Sequence, residues 1–198
     1  MTLAERKKYY DDEINHFRTL TTTTQIDNIE YKEKIKRVLL NSKDLLYALN
    51  NTELEEKNAT AADYYGVNIL PYIIDPNTRH IDRSTIMYDT IHTTYAAYNP
   101  DAIKIQYIRF LIIVPPAEAI DTLTGIPRHD LIGAVIADMF AGTNIFGCQC
   151  KQIDDKGGST DSMFISRDMW FEIHAPNNRV RDGMFTQNTV RSKYPGKV

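Results

Sequence analysis

Cysteine is nearly absent from this 198-residue chain: Cys148 and Cys150 stand alone, one residue apart. Two such thiols make no disulfide framework, and they suit a reducing cytoplasm. Tryptophan occurs once, glycine nine times and proline eight times. That excludes collagen-like and low-complexity chains. An excess of positive charge is also missing. Lys and Arg number 23 against 26 Asp and Glu, for a formal net charge of −3, unlike proteins that coat duplex nucleic acid. Long apolar runs are missing too. The densest stretch, Tyr107 to Ile120, is broken by Arg109, Pro115, Pro116 and Glu118, and falls short of the roughly 20 residues that cross a bilayer. The first ten residues are polar and charged, so no signal peptide is expected in them. What is present, 42% hydrophobic and 25% charged residues, is the composition of a globular domain. A chain of this length buries roughly 70% of its unfolded surface without a metal or disulfide.

The motifs of common catalysis are missing in the same way. There is no Gly-x-Ser-x-Gly elbow and no phosphate-loop or dinucleotide glycine pattern. His16, His80, His92, His129 and His174 show neither the His-x-x-x-His nor the His-Glu-x-x-His spacing. Arg128-His129-Asp130 looks reactive, but Asp130 in a first helical turn complements the helix dipole instead. On a strand, Cys148 and Cys150 would face the same side and could meet one soft metal, with His174 arriving across a hairpin. Structural zinc needs four ligands and no second Cys pair exists, so packed thiols are the expectation. Asp154, Asp155 and Asp161 flank two glycines and could offer oxygens to calcium, but their register matches no calcium loop. No catalytic, cofactor-binding or metal residue is therefore assigned, and the expectation is a protein without enzymatic activity or cofactor.

Three zones can be read along the chain. Residues 1–60 read as a helical extension. A mixed charged and aromatic segment, Ala4 to Leu20, ends at four threonines, Thr21 to Thr24, whose β-branched side chains lose rotamer freedom in a helix. Asp27 is the expected N-cap of the next helix, with Glu30 completing a capping box. Ile35, Val38, Leu39, Ser42, Leu45, Leu46 and Leu49 then recur at helical spacing, so one helix of about thirty residues is predicted, ending near Asn50 and Asn51.

Residues 64–176 read as a compact α/β domain. Val67 to Ile74, with Pro71 inside, is expected at a sheet edge, and Asp75-Pro76-Asn77 as a turn. Ser84 to Tyr95 and Ile103 to Val114 read as strands. The second is apolar on both faces from Ile108 onward, which predicts a central strand in which Arg109 needs a partner or a wet edge. Tyr98-Asn99-Pro100 is the turn between them. His129 to Ala141 is predicted as the covering helix, with Leu131, Ile132, Val135, Ile136, Met139 and Phe140 on one face, Leu131, Val135 and Met139 toward the sheet, and Gly142 as its terminator. Ile145 to Ile153 and Met163 to His174 are expected as strands joined by a hairpin loop at Asp154 to Gly158. The predicted fold class is α+β: a mixed, largely antiparallel sheet, one covering helix, an N-terminal helical extension and a C-terminal arm.

Residues 177–198 form that arm. Arg179, Arg181, Arg191, Lys193 and Lys197 oppose one acid, Asp182. The arm lacks apolar periodicity, so it is expected to order only against another surface. Twelve tyrosines and seven phenylalanines suit interfaces.

The middle zone has a recognisable order. Ile108-Arg109-Phe110-Leu111-Ile112-Ile113-Val114 is followed by a loop. Gly125-Ile126-Pro127-Arg128-His129-Asp130-Leu131-Ile132 comes next, then a helix ending at Phe140, Asn144-Ile145-Phe146-Gly147, and the strand Met169 to His174. Over about residues 65–178 this resembles the tail-terminator and tail-completion proteins of tailed bacteriophages. The resemblance implies a non-enzymatic virion protein, assembled in the bacterial cytoplasm. It implies a ring subunit, commonly one of six, that joins the tail to the head connector. The implied partners are further copies of the chain, neighbouring neck or connector proteins, tail-tube or sheath proteins, and transient DNA in the lumen, with no membrane. The alternative is a small soluble enzyme or metal-binding regulator with a site near Cys148, Cys150 and His174.

Overall fold

A computed structural model of the chain describes residues 24–76, 81–93, 103–160 and 164–176. The expected helix at Ala4 to Leu20, the turn at Tyr98 to Pro100, Asp161 and the arm from 177 lie outside these residues.

The long helix of the sequence reading is three helices. The first, α1, is Thr24–Asn41. Asp27 lies inside this helix and is therefore no N-cap. Ser42 ends α1 and starts α2, Lys43–Leu49, with its hydroxyl accepting from the Leu45 amide. The polar member of the apolar stripe is thus a cap. Asn50 adopts a left-handed conformation with φ 51° and closes α2, as asparagine can. Asn51 accepts from the Leu54 amide to start α3, Thr52–Glu56. The bend keeps both halves of the stripe on one core. Ile35 and Leu39 of α1 and Leu45 and Leu49 of α2 are fully buried, in the same cluster as the sheet residues Phe110 and Phe171.

The sheet has five strands in the order β1-β2-β3-β5-β4. They are β1 Ile69–Leu70, β2 Thr85–Thr93, β3 Ile103–Val114, β4 Cys150–Thr160 and β5 Phe164–Pro176. β1 runs parallel to β2 and the other neighbours are antiparallel. The fold is α+β, as the patterning predicts. β1 is short because Pro71 follows it and cannot donate to a ladder. β3 is central, with its even-numbered residues toward the helices. Ile108, Phe110, Ile112 and Val114 join the main core, while Leu111 and Ile113 enter a smaller cluster with Leu70, Ile81 and Met87 on the other face.

The covering helix, α4, is Arg128–Phe140. It buries Ile132, Gly133, Ile136 and Phe140 fully, and Leu131, Val135 and Met139 only in part. All six side chains lie on the expected apolar face, with Ile132, Ile136 and Phe140 deepest. Gly133 lets the helix come close: a Cβ there would lie 2.6 Å from Arg167 Cδ, so the helix approaches β5 at a position that has no side chain. Gly142, at φ +73°, follows the helix where a left-handed residue is needed.

β4 begins at Cys150 rather than Ile145, and Asp154 to Gly158, expected as a hairpin loop, lies within it. Gly157 and Gly158 pair with Arg167 and Ser166 across the ladder. β4 is an edge strand bonded to β5 alone, which is where glycines cost a sheet least. The connection to β5 falls at 161–163, outside the described residues.

Candidate interaction surface

On the helix-facing side, aromatic rings fill the space between sheet and helices. Phe110 and Phe140 have ring centroids 5.0 Å apart, and Phe110 meets Phe171 edge-on at 5.7 Å. Tyr31 of α1 stacks on Phe146 at 5.0 Å. The Tyr88 hydroxyl donates to the Lys32 carbonyl at 3.3 Å, and burial raises its phenol above the ordinary range. Arg167 is the charged member of this face. Its guanidinium reaches Asp155 of β4 at 2.7 Å and Asp130 in the first turn of α4. It spans Gly133 and ties helix to sheet.

Among the described residues, the opposite face is covered along only half its length. The segment before β2 supplies Ile73, Ile74 and Ile81 over Met87, Leu111 and Ile113. Among the described residues, the covering ends toward the start of β3. Ile91 is 44% and Ile103 60% exposed, and Tyr107 and Trp170 are half-buried. Arg109, the cation that needed a partner, donates twice to Asp168, at 2.9 and 2.7 Å, and its guanidinium lies 5.3 Å from the Trp170 ring centroid. Lys32 pairs with Asp89, Lys156 with Asp154 and His174 with Glu172. Arg109 and Lys156 of this face are thus paired, while Lys151, opposite Glu172 in the ladder, is exposed.

The loop between β3 and α4 is turned inside out. Its acid, Asp121, is buried, while Ile120, Leu123 and Ile126 are 53%, 80% and 43% exposed. Asp121 accepts from the Thr124 amide and hydroxyl at 2.9 and 2.7 Å, and from Arg128 at 3.3 Å. Those bonds, the Thr124 hydroxyl first, hold its carboxyl below the ordinary range. Arg128, also buried, donates to the carbonyls of Ala48 and Glu118. Backbone bonds from Asp121 to Ile126 and from Arg128 to Ala119 close the loop, with Gly125 at φ +69° at its turn. The sequence reading missed this anchor. Its signal was present: Asp-x-x-Thr-Gly is a side-chain-capped turn, and an arginine opening a helix, where an acid is favoured, needs a buried acceptor.

The residues expected near a metal or a thiol site are kept apart. Cys148 lies in the turn before β4 and Cys150 inside it, so they do not share a strand face. Cys150 is fully buried, and burial pushes its thiol up to about 12. It pairs with Ile173, which leaves His174 on the other face of β5. His129 Nε2 rests 3.4 Å from Asp130. Asp154 and Asp155 are consecutive strand residues committed to Lys156 and Arg167. Among the described residues no three His, Cys, Asp or Glu side chains could hold a metal ion together. No described helix is long and apolar enough to cross a membrane. A cleft of about 240 Å³ beside β1 is lined by Gly66, Leu70, Ile81 and Arg83. Arg83 is already paired with Asp82 and Glu53.

The family model YomW matches residues 33–181. No curated protein matches the chain. Among solved structures, a chain from the "Virion of native gene transfer agent (GTA) particle" is similar, at 10% identity and a TM-score of 0.39, covering 56% of this chain and 80% of that one.

Proposed function

The chain belongs to the YomW family, a phage-associated family, and on that premise we propose that it is a structural subunit of a phage particle, a ring component at the junction of tail and head. The observation that carries the reading is the division of the sheet. One face is covered by helices, and the other, among the described residues, is half bare, with Ile91 and Ile103 exposed on it. Such a surface suits a neighbour in an assembly, because covering it removes apolar area from water. Heterologous contacts repeated around an axis close into a ring, and six copies is the order proposed. The further partners are the neck or connector proteins on one side and tail-tube or sheath proteins on the other. The basic arm from 177 is the segment proposed to reach an acidic neighbour.

The enzyme reading has less support. The thiol it needs is buried and protonated, and its histidine lies across the sheet.

The test is genetic and structural. Particles made without the protein should accumulate as DNA-filled heads and unjoined tails, and antibody to the protein should label the junction of complete particles. Complete infectious particles lacking the protein would overturn the reading.

A further inference from the structure

We infer a self-blocking contact on the outer edge of β4: the Asp154 carboxylate, seated on the Asp155 amide, keeps that edge from adding a strand of a second copy. An edge strand presents a row of unpaired N–H and C=O groups, a template on which another chain can pair. β4 is eleven residues long and pairs with β5 alone. Among the described residues, other backbone bonds reach only its first residue. Cys150 donates to the Thr143 carbonyl at 2.9 Å and accepts from the Gly142 amide at 2.7 Å.

Those two bonds also fix which groups face out. Cys150 turns its backbone away from β5, so its partner Ile173 turns its own toward β3. Backbone direction alternates along a strand, and the odd-numbered residues of β5 therefore face β3. Their partners on β4, including Gln152, Asp155 and Gly157, face outward, with the register shift falling between Gln152 and Asp154. The outward Asp155 N–H is taken: it donates to Asp154 Oδ1 at 3.0 Å. Asp154 is held in turn by Lys156. Lys156 first, and the amide after it, keep this carboxyl below the ordinary range, so the acceptor is charged at neutral pH.

The strand toward the opposite edge repeats the arrangement. Ile86 donates to the Asn68 carbonyl at 2.7 Å, which turns the even-numbered residues of β2 outward. The Thr90 amide donates to Asp89 Oδ1 at 2.8 Å, and Asp89 pairs with Lys32 at 2.7 Å. There α1 packs alongside as well, accepting from the Tyr88 and Thr90 hydroxyls at its Lys32 and Asn28 carbonyls. The far part of β4 is barer: a Cβ at Gly157 or Gly158 would meet nothing within 4 Å. A strand pairing here needs the Asp155 N–H and must displace a charged acceptor to reach it. The irregularity beside Ile153 and the exposed Lys151 and Lys156 work in the same direction.

The experiment uses two double variants of the full chain. One carries Asp154→Ala with Lys156→Ala, and the other Asp154→Asn with Lys156→Ala. Both keep the net charge of the unaltered chain, and they differ in whether position 154 retains an acceptor oxygen. Hydrogen exchange followed by NMR reads the cap directly. The Asp155 amide should exchange at least about tenfold faster in the alanine pair than in the unaltered chain, as loss of one hydrogen bond to a charged group requires. The Gly157 amide, outward and uncapped, should exchange fast in all three. In sedimentation velocity the alanine pair should show concentration-dependent association beyond that of the unaltered chain, and the asparagine pair should not. An Asp155 amide equally fast in the unaltered chain, a slow Gly157 amide, or an alanine pair that adds no association overturns the block. Association of the asparagine pair to the same degree also overturns it, because lost charge rather than the lost cap would then have opened the edge. The ring reading is tested on particles and this contact on one amide, so either can fail without the other.

Discussion

The two faces of the sheet are made by the same strands, in alternate residues, and they are held together differently. The helix side is a continuous apolar layer in which Phe110, Phe140 and Phe171 interlock, and its stability comes from area removed from water. The other side is buried only beneath the segment before β2, and beyond that its apolar side chains are exposed or half-buried beside half-exposed ion pairs and a cation–ring contact. Exposed pairs add little to stability. The difference teaches where this molecule spends its constraint: one face fixes the fold, and the other keeps a defined shape without being needed for it.

The comparison is broken most severely at Phe110. Phe110→Ala should cost about 3–5 kcal/mol, because the cavity would lie among rings that cannot collapse. Urea unfolding should register most of that loss. A cost below about 1 kcal/mol would mean that the helix-covered face is not the core.

Arg128→Ala should follow, with a loss on the order of 3 kcal/mol, since it leaves the Asp121 carboxylate buried without its cation. A pH series adds a signature. The Asp121 carboxyl is held below its ordinary value. Its contribution is therefore complete above about pH 4, the unfolded range, and is lost as pH falls through the lowered folded value. Asp121→Asn should remove that part of the acid-side slope. An unchanged slope would assign it elsewhere.

Gly133→Ala sharpens the comparison on a smaller scale. Alanine favours the helix by up to about 1 kcal/mol, but its Cβ would displace Arg167 from Asp130 and Asp155. Overpacking typically costs 1–3 kcal/mol, so a net loss of about 1 kcal/mol is expected in thermal unfolding. A gain in stability would show that Arg167 moves aside freely.

On the open face, Arg109→Lys should change stability by less than about 1 kcal/mol, as a pair roughly 30% exposed allows. It should still alter the fluorescence of Trp170, the only tryptophan. A loss of several kcal/mol would make this face part of the core. The smallest effect separates the thiols. Cys148 should react with a disulfide reagent at pH 8, while Cys150, raised to about 12, reacts only on unfolding.

Much of the fold is legible from local pattern. The span of β3 is readable because its aliphatic run is long and bounded, and the two faces of β5 because its residues alternate. α4 is readable from its periodicity and Gly142. The breaks at Ser42 and Asn51 are harder to see, since a capping residue on an apolar stripe keeps the same spacing whether the helix continues or bends. The extent of β4 is misleading for the opposite reason. Its two glycines carry a strong local turn signal, and an edge strand with a long partner tolerates them. The inverted loop before α4 reads as polar because half its residues are, and which half points inward depends on a carbonyl of α2 some eighty residues earlier.

The sequence by itself determined the helical character of the N-terminal zone, the course of β3, α4 and β5, and that no common catalytic motif is available, because those follow from periodicity, composition and short-range spacing. Only the tertiary structure decided that the helical N-terminal zone shares the core of the sheet, that Cys150 and His174 part to opposite faces, and that Asp121 is hidden while Leu123 is presented. Each of these depends on which distant surface a residue meets, and burial, pairing and exposure are properties of the packed whole rather than of any window of the chain.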